Sequence, residues 1–275
     1  MSAMHEAVER HWRTIRKDLQ DEEDAAPHVR HDNVVIELND VYLAFDRPIL
    51  DGVSLDVRKG ETLLIVGESG SGKSTILKLI LRLLLPDDGT IYVFDKEIVH
   101  LSFEEALNLR RHIGMVFQNA ALFDSMSVFE NVAYPLREHR TDLDDEQLEE
   151  FVRERLEFVD LDPDQVCEQL PSQLSGGMRK RVGLARAIAT DPAVVLYDEP
   201  TAGLDPLTVG TILDLIRKLQ RELGVTSIVV THDIRAGFKV ANRVNLLRDG
   251  KITFRGSPEE MLAERDPYIQ GFLSR

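Results

Sequence analysis

The stretch Thr62–Thr75, TLLIVGESGSGKST, constrains what this chain can fold into more than any other. It opens as a continuous apolar run, the pattern of a strand buried on both faces of a parallel sheet. The run ends in glycines, and a helix is predicted to begin near Lys73. Gly67, Glu68, Ser69, Gly70, Ser71, Gly72, Lys73, Ser74 and Thr75 match the spacing G-x-x-x-x-G-K-[ST] in that strand-to-helix context. Glycines let a backbone wrap closely around phosphate. The free N–H groups at a helix start, aided by the helix dipole, favour a β-phosphate. Lys73 is expected to reach the β- and γ-phosphates, and the Ser74 hydroxyl to ligate Mg²⁺.

A second apolar run, AVVLY from Ala193, ends at Asp198-Glu199-Pro200. Ligands gather at the carboxyl ends of strands in an open parallel sheet. Two carboxylates at such an end are costly unless a cation or a reaction uses them. Asp198 is expected to hold Mg²⁺ and Glu199 to polarise a water attacking the γ-phosphate. Phosphoryl transfer needs mainly positioning and charge neutralisation, so one metal and one placed carboxylate suffice. Alone this ending could be a solvated strand terminus; behind the glycine loop it carries weight.

Strand and helix patterns alternate from Val34 onward. VVIEL and VSLDV read as half-exposed strands, and Ile113 to Phe117 and VTSIVV from Val225 as buried ones. Glu146 to Val159 and Gly177 to Ala189 read as helices, as does Pro206 to Leu223, closed by Gly224. This alternation implies an α/β domain with a parallel sheet over 33–275, its middle, about 119–190, mostly helical. Residues 1–32 differ. Met4, Val8, Trp12, Ile15 and Leu19 recur at helical spacing, and the acidic DEEDAAPH after them reads as a linker. No internal repeat or low-complexity tract is evident.

Composition narrows the function. The 275 residues carry a formal net charge of -15, which argues against a general nucleic-acid or anionic-membrane binder. The single cysteine, Cys167, rules out a disulfide within the chain and fits a cytosolic setting. The N-terminus has no signal-peptide pattern. The most apolar run, Ile76 to Leu85, contains Lys78 and Arg82 and is too short for roughly 30 Å of hydrocarbon. Any membrane work is therefore expected to pass through a partner.

The last motif, Leu174-Ser175-Gly176-Gly177-Met178, leads straight into a helix. By itself it could be an N-cap, or it could be a second anion site. The glycine loop, Gln118, LSGGM, VVLYDEP, Gly203-Leu204-Asp205 and His232 together resemble the ABC (ATP-binding cassette) ATPases, in order and spacing, over about 33–275. LSGGM is the most specific element. The resemblance implies a P-loop NTPase fold with a RecA-like parallel-sheet core, an antiparallel β subdomain and a helical subdomain bearing the signature. It implies ATP and Mg²⁺ as ligands. Phe45 would stack under adenine. Gln118 would touch Mg²⁺ and the attacking water and sense a membrane partner. Asp205 would line a dimer interface, and His232 would contact the γ-phosphate. In this family Ser175, Gly176 and Gly177 of one copy would face the glycine loop of a second copy, so each ATP is sandwiched by two subunits.

Non-transport ABC proteins carry long coiled coils or two cassettes, and this chain has neither. After Gln118 the stretch ALFDSMSVFENVAYPLREH, with LSGGMRKR, resembles the cassettes of Mla and MCE-type lipid transporters. That implies phospholipid or a related lipid as cargo, an MlaE-like permease and an MCE-domain protein as partners, and a place on the cytoplasmic face of the inner membrane. Phe123 and Met126, flanked by Asp124 and Ser125, are the residues expected to be exposed where the permease docks. The acidic N-terminal extension departs from the motif set, and no residue identifies a STAS-type partner. The alternative is a cassette for amino-acid import or lipoprotein export.

Overall fold

The computed structural model describes residues 33–140 and 142–274. The apolar strand before the glycine loop, β3 (Thr62–Val66), is buried at every position. It sits inside a six-stranded sheet of order β10-β9-β3-β8-β7-β6. Here β6 is Ile113–Val116, β7 Val194–Asp198, β8 Thr226–Thr231, β9 Arg243–Arg248 and β10 Lys251–Gly256. β9, β3, β8, β7 and β6 run parallel, and β10 is antiparallel at the edge. The interior strands lack polar–apolar alternation because both of their faces are buried. β10 alternates exposed with half-buried positions, as an edge strand with one solvated face does.

A second sheet, β2-β1-β4-β5, is antiparallel. It contains β1 (Val34–Ala44), β2 (Pro48–Arg58), β4 (Asp88–Val93) and β5 (Lys96–Glu97). Arg243 of β9 ties the sheets together: its guanidinium donates to Asp56 of β2 at 2.9 Å and to Glu61, just before β3, at 2.6 Å.

Helices follow the strands. α1 (Lys73–Ile80) leaves the glycine loop, and α2 (Phe103–Arg110) precedes β6. Between β6 and β7 come α3 (Val128–His139), α4 (Asp145–Phe158), α5 (Pro163–Val166), a 3₁₀ turn (Pro171–Gln173) and α6 (Gly176–Ala187). α3 and α4 start at capping boxes, Ser127 with Glu130 and Asp144 with Gln147, which satisfy N–H groups that a helix start leaves open. α6 packs on α3, α4 and β6, joining this helical segment to the large sheet. α7 (Pro206–Leu223) ends at Gly224, which adopts φ 66°. α8 (Ile234–Phe238), α9 (Pro258–Ala263) and α10 (Pro267–Leu273) complete the chain.

The buried strands and the helices anticipated from the sequence are present within a residue or two of their expected bounds, but the two half-exposed strands are longer than VVIEL and VSLDV: β1 runs on to Ala44 and β2 begins at Pro48. The sheet's RecA-like parallel core, the antiparallel sheet and the helical segment match the expected architecture. The N-terminal stripe from Met4 to Leu19 lies outside the described residues. Among those described, no helix is long and apolar enough to cross a membrane.

Candidate active site

Register fixes where the motifs meet. Val66 pairs with Thr231, Asp198 with Val230 and Val116 with Tyr197, so four parallel strands end nearly level. The glycine loop, Asp198-Glu199, His232 and Gln118 all follow these ends, where an open α/β sheet places its ligands.

The loop is built so that backbone, not side chain, faces its hollow. Gly72 has φ 103°, and a Cβ there would lie 3.0 Å from Leu50 and 3.1 Å from Ile49. A Cβ on Gly67 would fall 2.3 Å from the Leu247 carbonyl. No side chain caps the N-terminus of α1, which leaves its first N–H groups to a ligand. The Lys73 ammonium folds back to donate to the Gly67 and Glu68 carbonyls, each at 2.9 Å. Burial lowers its pKa, a pull opposed by the charges of Glu199 and Asp198. Ser71 Oγ is buried with no hydrogen-bond partner among the described residues. Glycines without room for side chains, an uncapped helix start and an unpartnered hydroxyl suit a polyphosphate. Glu68, Ser69 and Gly70 form the exposed rim, and Thr75 lies half-buried in the first turn of α1.

Ser74 Oγ donates to Asp198 Oδ1 at 2.7 Å, which brings the two expected Mg²⁺ ligands into contact. Among the described residues no group of three or more His, Cys, Asp or Glu side chains is arranged to hold a metal ion by itself. One hydroxyl and one carboxylate suit a Mg²⁺ whose remaining ligands are phosphate and water.

Glu199, next along the chain, sits at φ 47°, a strained setting for a non-glycine residue. Its N–H donates to the Val230 carbonyl at 2.9 Å, and its Oε2 accepts from the Thr231 hydroxyl at 2.9 Å. His232 Nδ1 lies 3.0 Å from the same oxygen. The carboxylate is thus aimed by the end of β8, while the imidazole stays 64% exposed. Thr231 is not among the residues that the sequence motifs single out; its place beside His232 is the signal that points to it.

Gln118 is exposed two residues beyond β6, and its carbonyl accepts from Lys180 of α6. Ser175 caps α6 by accepting from the Met178 N–H at 3.2 Å. Gly177 meets the start of α7: a Cβ there would lie 2.6 Å from Thr208 Cγ2. Leu204 comes close to the neighbouring glycine, since a Cβ on Gly176 would lie 3.9 Å from Leu204 Cδ2. Asp205 caps α7, accepting from the Leu207 and Thr208 N–H groups at 3.0 and 3.1 Å and from the Thr208 hydroxyl. Those bonds, the hydroxyl's first, hold its carboxyl below the usual range. The signature and Asp205 therefore form one surface with α7. Phe45 is 61% exposed in the β1–β2 turn. Beside that turn a cavity of about 400 Å³ runs between Arg47, the loop rim from Glu68 to Ser71, and Arg248 stacked on Tyr268.

Residues 50–202 match the ABC transporter family. The intermembrane phospholipid transport ATP-binding protein MlaF of Haemophilus influenzae is 41% identical over 88% of this chain and 90% of its own length. The chain belongs to the ABC transporter family. Within it, the methionine import ATP-binding protein MetN of Carboxydothermus hydrogenoformans is 44% identical over 75% of this chain but only 60% of its own length. Among solved structures, the dimeric post-hydrolysis ATP-binding cassette MJ0796, bound to ADP and Pi, aligns with TM-score 0.75 and 34% identity, covering 81% of this chain and 98% of that one. The chain is accordingly the ATP-hydrolysing subunit of an ABC transporter.

Proposed function

We propose that two copies of this chain sandwich MgATP between the glycine loop of one and the signature of the other, and that closure drives a permease that moves phospholipid. Lys73, released from the loop carbonyls, binds the β- and γ-phosphates. Ser74 and Asp198 hold Mg²⁺, which when bound neutralises charge on the transferring phosphoryl group. Glu199, oriented by Thr231, polarises the attacking water, with Gln118 beside it. The bond from water oxygen to γ-phosphorus forms as the bond to the β-bridging oxygen breaks, and His232 contacts the γ-phosphate. Phe45 supports adenine. Asp205 borders the partner copy at the surface shared with Ser175, Gly176 and Gly177.

The chemistry rests chiefly on one observation: Ser74 touches Asp198 while the adjoining Glu199 is held by Thr231 and His232. The cargo reading rests on the likeness to MlaF along almost its whole length and on the segment after Gln118. An MlaE-like permease, an MCE-domain protein beyond the membrane and a peripheral seat on its cytoplasmic face follow from that reading. Amino-acid import is the second reading, favoured by the MetN likeness. Liposomes holding this chain with an MlaE-like permease test the choice. Lipid movement coupled to ATP turnover is expected. Association with an amino-acid permease instead would replace the lipid reading and leave the ATPase intact.

A further inference from the structure

Lys180 lies on α6, five residues beyond the signature serine, and its side chain is only 7% exposed. A buried ammonium must find acceptors or it destabilises the fold. Lys180 finds two, and both belong to residues that the proposed function assigns to the attacking water. Its Nζ donates to the carbonyl of Gln118 and, at 3.4 Å, to the carbonyl of Glu199. These carbonyls lie beyond the ends of adjacent strands, β6 and β7, and the lysine spans them from the helix packed on β6. Its neighbours on the helix turn elsewhere: Arg179 donates to the Leu174 carbonyl and Arg181 to the Asp160 carbonyl. Burial lowers the Lys180 pKa, and the Glu199 carboxylate opposes that shift, so the opposite charge it feels is the carboxylate assigned to the water.

A helix is stiff over a turn and a half, so whatever seats Ser175 also seats Lys180. We infer that Lys180 is a positioning residue: it carries engagement of the signature to the backbones of Gln118 and Glu199, so that water attack is favoured only when the signature is docked. The inference rests on the reading that two copies share each site. Its role in the proposal runs through the two carbonyls it holds.

The test uses the full chain with MgATP and compares wild type, Lys180→Met and Lys180→Arg. Misplacing a reacting group by about 1 Å costs up to about 100-fold in rate. Lys180→Met is expected to keep KM and nucleotide affinity within about twofold while kcat falls about 10- to 100-fold, and Lys180→Arg, which keeps a buried donor, to restore most of that loss. Ser175→Ala should lower kcat in wild type yet have little further effect beside Lys180→Met, because the relay is already cut. Lys180→Gln takes the place of the methionine if that chain does not fold. Wild-type kcat in the neutral variant, a loss in KM and affinity equal to that in kcat, full additivity with Ser175→Ala, or failure of both neutral variants to fold would each overturn the proposal. If Ser175→Ala has no effect on wild-type turnover, it is the shared-site reading that falls; if it does and Lys180→Met is neutral, only the relay falls.

Discussion

Glu199 and Lys73 have different tasks, and their substitution should separate them. In Glu199→Gln the amide oxygen can still accept from Thr231, so the strained turn at Glu199 keeps its main anchor. ATP binding should persist while turnover drops about 10²–10⁴-fold, the usual loss for one placed general base. Phosphate release alongside equilibrium nucleotide binding checks this, and near-normal turnover would remove Glu199 from its role. Lys73→Ala should weaken nucleotide binding itself. It removes the cation from the glycine loop and leaves the Gly67 and Glu68 carbonyls without their donor. Calorimetric titration with MgATP should show a marked loss of affinity, whereas unchanged affinity would place the phosphates elsewhere. These residues could be read from sequence because each has a chemical type that the position demands. Lys180 could not. Within Arg179-Lys180-Arg181 it looks like one of three solvated helix charges, and only the packing of α6 on β6 shows it buried between two carbonyls.

At the scale of elements, α7 offers a matched pair of glycines. Gly224 closes the helix at φ 66°, and Gly210 lies within it; a Cβ at either would meet nothing within 4 Å. Sterics being equal, backbone conformation decides the sign. Gly224→Ala should destabilise by about 1 kcal/mol, because an L side chain resists the left-handed region. Gly210→Ala should stabilise by about 0.5–1 kcal/mol through helix propensity. Urea unfolding midpoints moving in opposite directions would bear this out; a shared direction would refute it. The same helix is legible in sequence from Pro206 to Gly224, because proline and glycine mark its ends chemically; that Asp205 caps it is seen only in the structure. β9 and β10 escape such a reading, although Asp249-Gly250 between them is a hairpin signal, and both residues adopt positive φ, 49° and 76°. What no local pattern carries is strand order. β9 lies beside β3 because the crossover brings it there, from some 180 residues further along the chain.

The whole molecule must convert phosphate chemistry into movement, first by pairing and then by transmission. If the signature acts in trans, the chain should sediment as a monomer without nucleotide, Glu199→Gln with MgATP should shift it toward dimer, and adding Ser175→Arg should prevent the shift. Constant mass under all three conditions would refute pairing. Transmission needs a surface that a permease can grip, and the segment after Gln118 supplies one. Phe123 is 41% exposed, with its ring centroid 5.0 Å from that of Tyr134, also 41% exposed. Met126, expected from sequence to be exposed with it, is half-buried instead, its carbonyl accepting from Asn131. The fully buried Asn131 holds this segment by its backbone: Oδ1 accepts from the Phe123 N–H at 2.8 Å, and Nδ2 donates to the carbonyls of Phe123, Met126 and Ser127 at 3.0–3.1 Å. None of these bonds uses the Phe123 side chain, so Phe123→Asp should leave the loop, the fold and ATP binding in place. It would, however, set a carboxylate into a contact that apolar anchors dominate, where desolvation costs roughly several kcal/mol. The mutant should therefore lose co-purification with an MlaE-like permease, or at least lipid-stimulated turnover, while its basal ATP binding matches wild type. Retained association and stimulation would show that the permease grips another face.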